Sequence, residues 1–92
     1  MAYNKNETLI FKCYSYSDAA KTTLADADTV TFTLTDSAGT AIVTDVAATR
    51  IATGTYTYTR TLGIVLGMYT YKWTMRRNAL VTIEYGHFIV ED

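Results

Sequence analysis

The chain has one cysteine, Cys13, and one histidine, His87. A nucleophilic thiol needs its base alongside and a third group to orient that base. The two lie near opposite ends of the chain, on segments that read as its first and last strands. Cys13 also shares the parity of Leu9 and Phe11, and a cysteine on an apolar face acts as a small hydrophobe. The pair is therefore read as structural. Asp18, Asp26 and Asp28 are the next group. Carboxylates suit calcium, but a hard cation takes roughly six or more oxygens. Their spacing also departs from the Asp-x-Asp-x-Asp-Gly pattern of an EF-hand. They are read as solvated loop carboxylates, and no metal or other cofactor is expected. The third group is aromatic: Tyr56, Tyr58, Tyr69, Tyr71 and Trp73. A row of open rings would make a stacking platform for sugars or bases. These rings alternate with Thr and Lys at strand spacing, and without them little would remain to fill a sandwich about 10 Å thick. The core reading is preferred.

The elements that carry these residues are strands. Gly54-Thr-Tyr56-Thr-Tyr58-Thr-Arg60 and Gly67-Met-Tyr69-Thr-Tyr71-Lys-Trp73 each open on Gly and then alternate aromatic with polar. Strict alternation marks a half-buried strand, because successive side chains point to opposite faces. The spacing predicts strands over 55–61 and 68–76. Thr8 to Tyr16 reads as the first strand, with Leu9, Phe11 and Cys13 on the core face and Ile10, Lys12, Tyr14 and Tyr16 opposite. Thr29 to Thr35 alternates Thr with Val30, Phe32 and Leu34. Asp36-Ser37-Ala38-Gly39-Thr40 reads as a tight turn, opened by an Asp that can accept local backbone hydrogen bonds. A short strand over 41–45 follows, and 47–52 is either an edge strand or a crossover. In the last strand Val81, Ile83 and Tyr85 share one parity while Phe88 and Val90 share the other. Such a change of face needs a bulge or bend, expected at Gly86.

Composition narrows the function classes. A chain of 92 residues suits one domain, taken as 1–92, and 49% hydrophobic residues suffice for its core. Formal net charge is −1 and the basic residues form no stripe, which argues against a nucleic-acid footprint. A single cysteine excludes a disulfide framework. The first seven residues lack the apolar run of a signal peptide, and no segment approaches the roughly 18 apolar residues of a membrane span. Synthesis in a host cytosol without a secretion route is expected.

Six or seven short antiparallel strands at this length read as an all-β sandwich of immunoglobulin type. In that frame Tyr69 is a candidate tyrosine corner, and the Tyr71 ring fills the place of a disulfide cysteine. The whole pattern resembles the small immunoglobulin-like proteins of tailed bacteriophages, which are virion head, neck and tail components. The resemblance runs through Asp26-Ala27-Asp28-Thr29-Val30-Thr31-Phe32-Thr33-Leu34 as a strand with an acidic lead-in, and through the Asp36–Thr40 turn. It continues in Gly54-x-Tyr56-x-Tyr58 and Gly67-x-Tyr69-x-Tyr71-x-Trp73 as paired late strands, and in Gly86-His87-Phe88-Ile89-Val90 as the closing strand. One departure is the apolar loop Leu62-Gly63-Ile64-Val65-Leu66, which is usually polar in such domains.

The resemblance implies a structural virion protein with no enzyme activity and no catalytic residues. Its partners would be other virion proteins of capsid, neck or tail, and further copies of itself. It implies no specific nucleic acid, membrane or small-molecule substrate. The residues expected to meet a partner are Ile64, Val65 and Leu66, with Ile10, Tyr14 and Tyr16 next, since exposed apolar groups mark interfaces. The alternative is a carbohydrate or cell-surface binding module that uses Tyr69 and Trp73 as open rings.

Overall fold

The structure is a computed structural model that describes residues 2–17 and 21–91. Every regular element in it is a strand: β1 (Ala2–Asn4), β2 (Thr8–Tyr14), β3 (Thr29–Thr35), β4 (Ala41–Ala47), β5 (Thr49–Ala52), β6 (Thr55–Thr61), β7 (Gly67–Arg77) and β8 (Leu80–Glu91). They form a five-stranded sheet in the order β1-β8-β7-β3-β4 and a three-stranded sheet in the order β2-β6-β5.

The two sheets face each other through aromatic rings, and the source of that core is the alternation in the sequence. Leu9, Phe11 and Cys13 turn inward from β2 and Val30, Phe32 and Leu34 from β3, all buried. Phe32 is fully enclosed, with Phe11 at 4.7 Å and Tyr58 at 5.1 Å from the opposite sheet, and Trp73 at 4.7 Å from its own. Tyr69 stacks on Phe88 at 5.3 Å. Offset and tilted pairs at these separations add to plain area burial.

Several sequence expectations need correction. The described residues form eight strands where six or seven were expected, and β1 runs parallel to β8 where all pairs were expected antiparallel. The additional strands are short: β1 rests on the end of β8, and the 47–52 segment resolves into both of its readings. β4 ends in the five-stranded sheet, Ala48 bonds to the Val30 carbonyl at 3.0 Å, and β5 then joins the other sheet as an edge. The two aromatic strands β6 and β7 do not pair; they lie in opposite sheets and meet across the core. The first strand stops at Tyr14, and Tyr16 makes only an isolated bridge to Leu24.

Gly86 is not a bulge. β7 and β8 pair without a register shift from Gly67↔Val90 to Arg77↔Leu80. Phe88 and Val90 face inward, and Val81, Ile83 and Tyr85 simply stay on the outer face, at 48, 48 and 72% exposure. Glycine is needed at 86 for another reason: a Cβ there would overlap the Tyr71 ring. The Asp36 turn forms as expected, with its Oδ1 accepting from the Ala38 and Thr40 amides at 3.0 Å each.

Candidate functional site

The apolar loop after β6 is anchored at both ends and open in the middle. Leu62 is buried, its amide donates to the Glu7 carbonyl at 2.8 Å, and the Gly63 carbonyl accepts from the Asn6 amide at 3.1 Å. At the far end Ser37 Oγ donates to the Leu66 carbonyl at 2.6 Å, which ties the loop to the Asp36 turn. The Tyr69 hydroxyl donates to the Val65 carbonyl at 2.8 Å, four residues upstream. Burial raises the Tyr69 phenol pKa, with the Asp36 charge adding to the effect. Between these fixed points Ile64, Val65 and Leu66 stand in water at 72, 40 and 44% exposure. The backbone is thus held while three adjacent aliphatic side chains remain uncovered.

The second expected group lies elsewhere. Ile10 and Tyr14 project from the outer face of β2, and Tyr16 is half-buried beyond its end. Thr8, at the start of β2, pairs with Thr61 beside the loop, whereas Tyr14 pairs with Thr55. Tyr14 is therefore about 20 Å from the loop end along the strand. The structure gathers Ile64, Val65 and Leu66 at one end and strings Ile10, Tyr14 and Tyr16 along one side.

That side is where the two sheets part. Two clefts open between β2 and β8. One, of about 520 Å³, is lined among others by Tyr14, Tyr16, Leu80 and Glu84. The other, of about 560 Å³, is lined among others by Tyr3, Ile10, Phe11, Tyr71 and His87. The first cleft also carries Lys21, Arg77 and Glu84, and the second Lys12.

The candidates for chemistry have structural partners. Cys13 faces the core, and burial with the nearby Glu84 charge pushes its thiol up to about 12. His87 is exposed on the outer face of β8, in the other sheet, so it turns away from the core that Cys13 faces. Asp26 Oδ1 accepts from Arg50 Nε at 2.9 Å and from the Gly54 amide at 2.8 Å, and the Arg50 bond first, then the Gly54 bond, lowers its pKa. Asp28 Oδ2 accepts from the Asn78 amide at 2.7 Å. Asp18 lies outside the described residues. Among the described residues no three His, Cys, Asp or Glu side chains gather in a way that could hold a metal. Tyr69 and Trp73 are buried at 1 and 2% exposure, so a platform built from their open faces is not available.

Sequence reasoning missed the outer face of β8 and its neighbour. Val81, Ile83, Tyr85 and Ile89 are exposed there, with Met68 of β7 beside Ile89, and Leu80 is exposed at the start of the strand. The signal was present as three apolar residues at period two, but it was read as a change of face within the strand. No family profile, curated protein or solved structure matches this chain.

Proposed function

We propose that this chain is a non-enzymatic structural protein of a tailed-phage virion, an immunoglobulin-type sandwich that acts by assembly with other virion proteins. The observation that carries the assembly role is the loop at 62–66. Its backbone is pinned by Glu7, Asn6, Ser37 and Tyr69, yet Ile64, Val65 and Leu66 face water. Adjacent aliphatics held rigidly in water favour burial against a partner, because the ordering cost is already met within the free protein.

Two features support the immunoglobulin-type reading. The strand order places β2, β6 and β5 in one sheet and β8, β7, β3 and β4 in the other, which corresponds to the two sheets of that architecture. The Tyr69 hydroxyl bonds to backbone a few residues upstream, as a tyrosine corner does. The virion assignment rests on the resemblance of strand motifs alone.

The test is Ile64→Asp with Leu66→Asp. The double variant should fold with a melting temperature near that of the parent, since both side chains are already exposed, and should fail to join particles when co-expressed with the remaining virion proteins. Normal incorporation would sink the interface, and unfolding would place the loop in the core.

A further inference from the structure

β8 is long, and among the described residues only one end of its outer edge carries a strand. β1 pairs only with Ile89, Val90 and Glu91. From Leu80 to Phe88 the strand is bonded to β7 on one side, and among the described residues no backbone ladder occupies the other. An edge of this kind presents unpaired N–H and C=O groups to any matching strand. Other edges of the molecule carry the usual protections. β4 has two register shifts and Asp45 at φ 48°, β5 has four residues, and β2 carries Lys12 at mid-strand. The open run of β8 has no proline, no bulge and one full charge, Glu84, which meets Lys21 at 4.0 Å.

We infer that this edge pairs with a second copy of the chain, β8 against β8 antiparallel about a two-fold axis at Ile83, giving one continuous sheet across the dimer. A two-fold requires each strand to complement itself, and this register does so. Ile83 meets its own copy, Val81 meets Tyr85, Thr82 meets Glu84 and Leu80 meets Gly86. Aromatic and β-branched cross-strand pairs of this sort are favourable. A shift of the axis to Glu84 would set two carboxylates opposite each other, which is unfavourable. The fit along the edge is also complete: the partner's turn at Asn78-Ala79 falls beside His87 and Phe88, short of the residues that β1 covers.

The strand brings apolar side chains to such a contact. Leu80 at 73%, Val81 and Ile83 at 48% and Tyr85 at 72% exposure leave apolar surface in water along this edge. Cross-strand contact among these side chains supplies an apolar part of the ~800 Å² per partner of a stable interface.

The dimer is a particular form of the assembly role proposed above and rests on that reading only for its biological use. Sedimentation equilibrium of the full chain, up to about 200 µM, tests it. The expected result is a reversible dimer, weakened at least tenfold by Val81→Lys with Ile83→Lys and left intact by Ile64→Asp with Leu66→Asp. Hydrogen exchange of the unaltered protein gives a second readout that does not depend on the variants folding. Edge amides between Leu80 and Gly86 should exchange at least tenfold more slowly in the dimer than on dilution. A protein that stays monomeric throughout overturns the pairing while leaving the loop interface to its own test. A dimer with unchanged exchange over 80–86 also overturns it, because the contact then lies elsewhere.

Discussion

Trp73 packs on Phe32 at 4.7 Å and is 2% exposed, so truncating it leaves a cavity at the centre of the molecule. Trp73→Ala should cost about 3–5 kcal/mol in a urea titration, as large-to-small changes at buried aromatics do. A loss under about 1 kcal/mol would mark the site as superficial. Cys13 makes a second prediction at this scale. Its thiol ordinarily ionises near 9.0, and in the folded protein burial, with Glu84, raises that to about 12. The unfolded chain therefore releases this proton first as pH rises. The stability linked to Cys13 is fully present below pH 9 and is lost between pH 9 and 12. Denaturant midpoints followed over that window should fall less in Cys13→Ala than in the parent, relative to each protein's own value at pH 8. An equal fall would assign the alkaline loss to other groups.

Strands were legible where one face was apolar and the other was not. β3 alternates strictly in sequence, the Lys12 of β2 marks its outer face, and in both the buried positions are the ones parity selects. β8 was misread because both of its faces carry large apolar residues, so period two could not tell core from surface. The Tyr71 ring that requires Gly86 comes from a neighbouring strand, a contact that local sequence does not encode. Sheet membership was illegible for a similar reason. β6 and β7 look alike in sequence, but pairing is non-local, and the switch of sheets at Ala48 sends their partners apart. Of the candidate site, the exposed loop was legible from three adjacent aliphatics, whereas the clefts between β2 and β8 arise only when two distant strands form the rims of one side. The turn into β6 gives a prediction at this scale. Gly54 is buried at φ 64°, and a Cβ would lie 2.6 Å from the Ser15 carbonyl oxygen and 2.8 Å from the Ala25 nitrogen. Those atoms are backbone, and the Ser15 amide is itself held by the Gly54 carbonyl at 2.7 Å. Gly54→Ala should destabilise by roughly 2 kcal/mol or more, from left-handed strain together with the clash. A neutral result in thermal melts would mean that the backbone at Ser15 and Ala25 gives way to the added methyl.

The molecule measures 40 × 21 × 21 Å, and its exposed apolar residues are distributed over that length. Ile64, Val65 and Leu66 occupy one end, while Ile10 and Tyr14 follow the outer face of β2 away from it. Among the described residues no hydrogen bond joins the two groups, and β2, paired along its length with β6, separates them. Sites farther apart than about 10 Å with no shared partners contribute independently. A partner that covers both would thus lose binding energy additively. Ile64→Asp and Tyr14→Asp, made singly and together, should weaken particle incorporation by fold-changes that multiply. Ile64→Asp with Leu66→Asp should not, because these two side chains flank Val65 on the same short loop and would meet the same patch of a partner. Competition assays of co-expressed variants measure each case. If the Ile64 and Tyr14 variants fail to multiply, one continuous surface reaches around the end of the sandwich. If Tyr14→Asp has no effect while Ile64→Asp does, the interface is confined to the loop end, and the side between β2 and β8 is left to the pairing of β8.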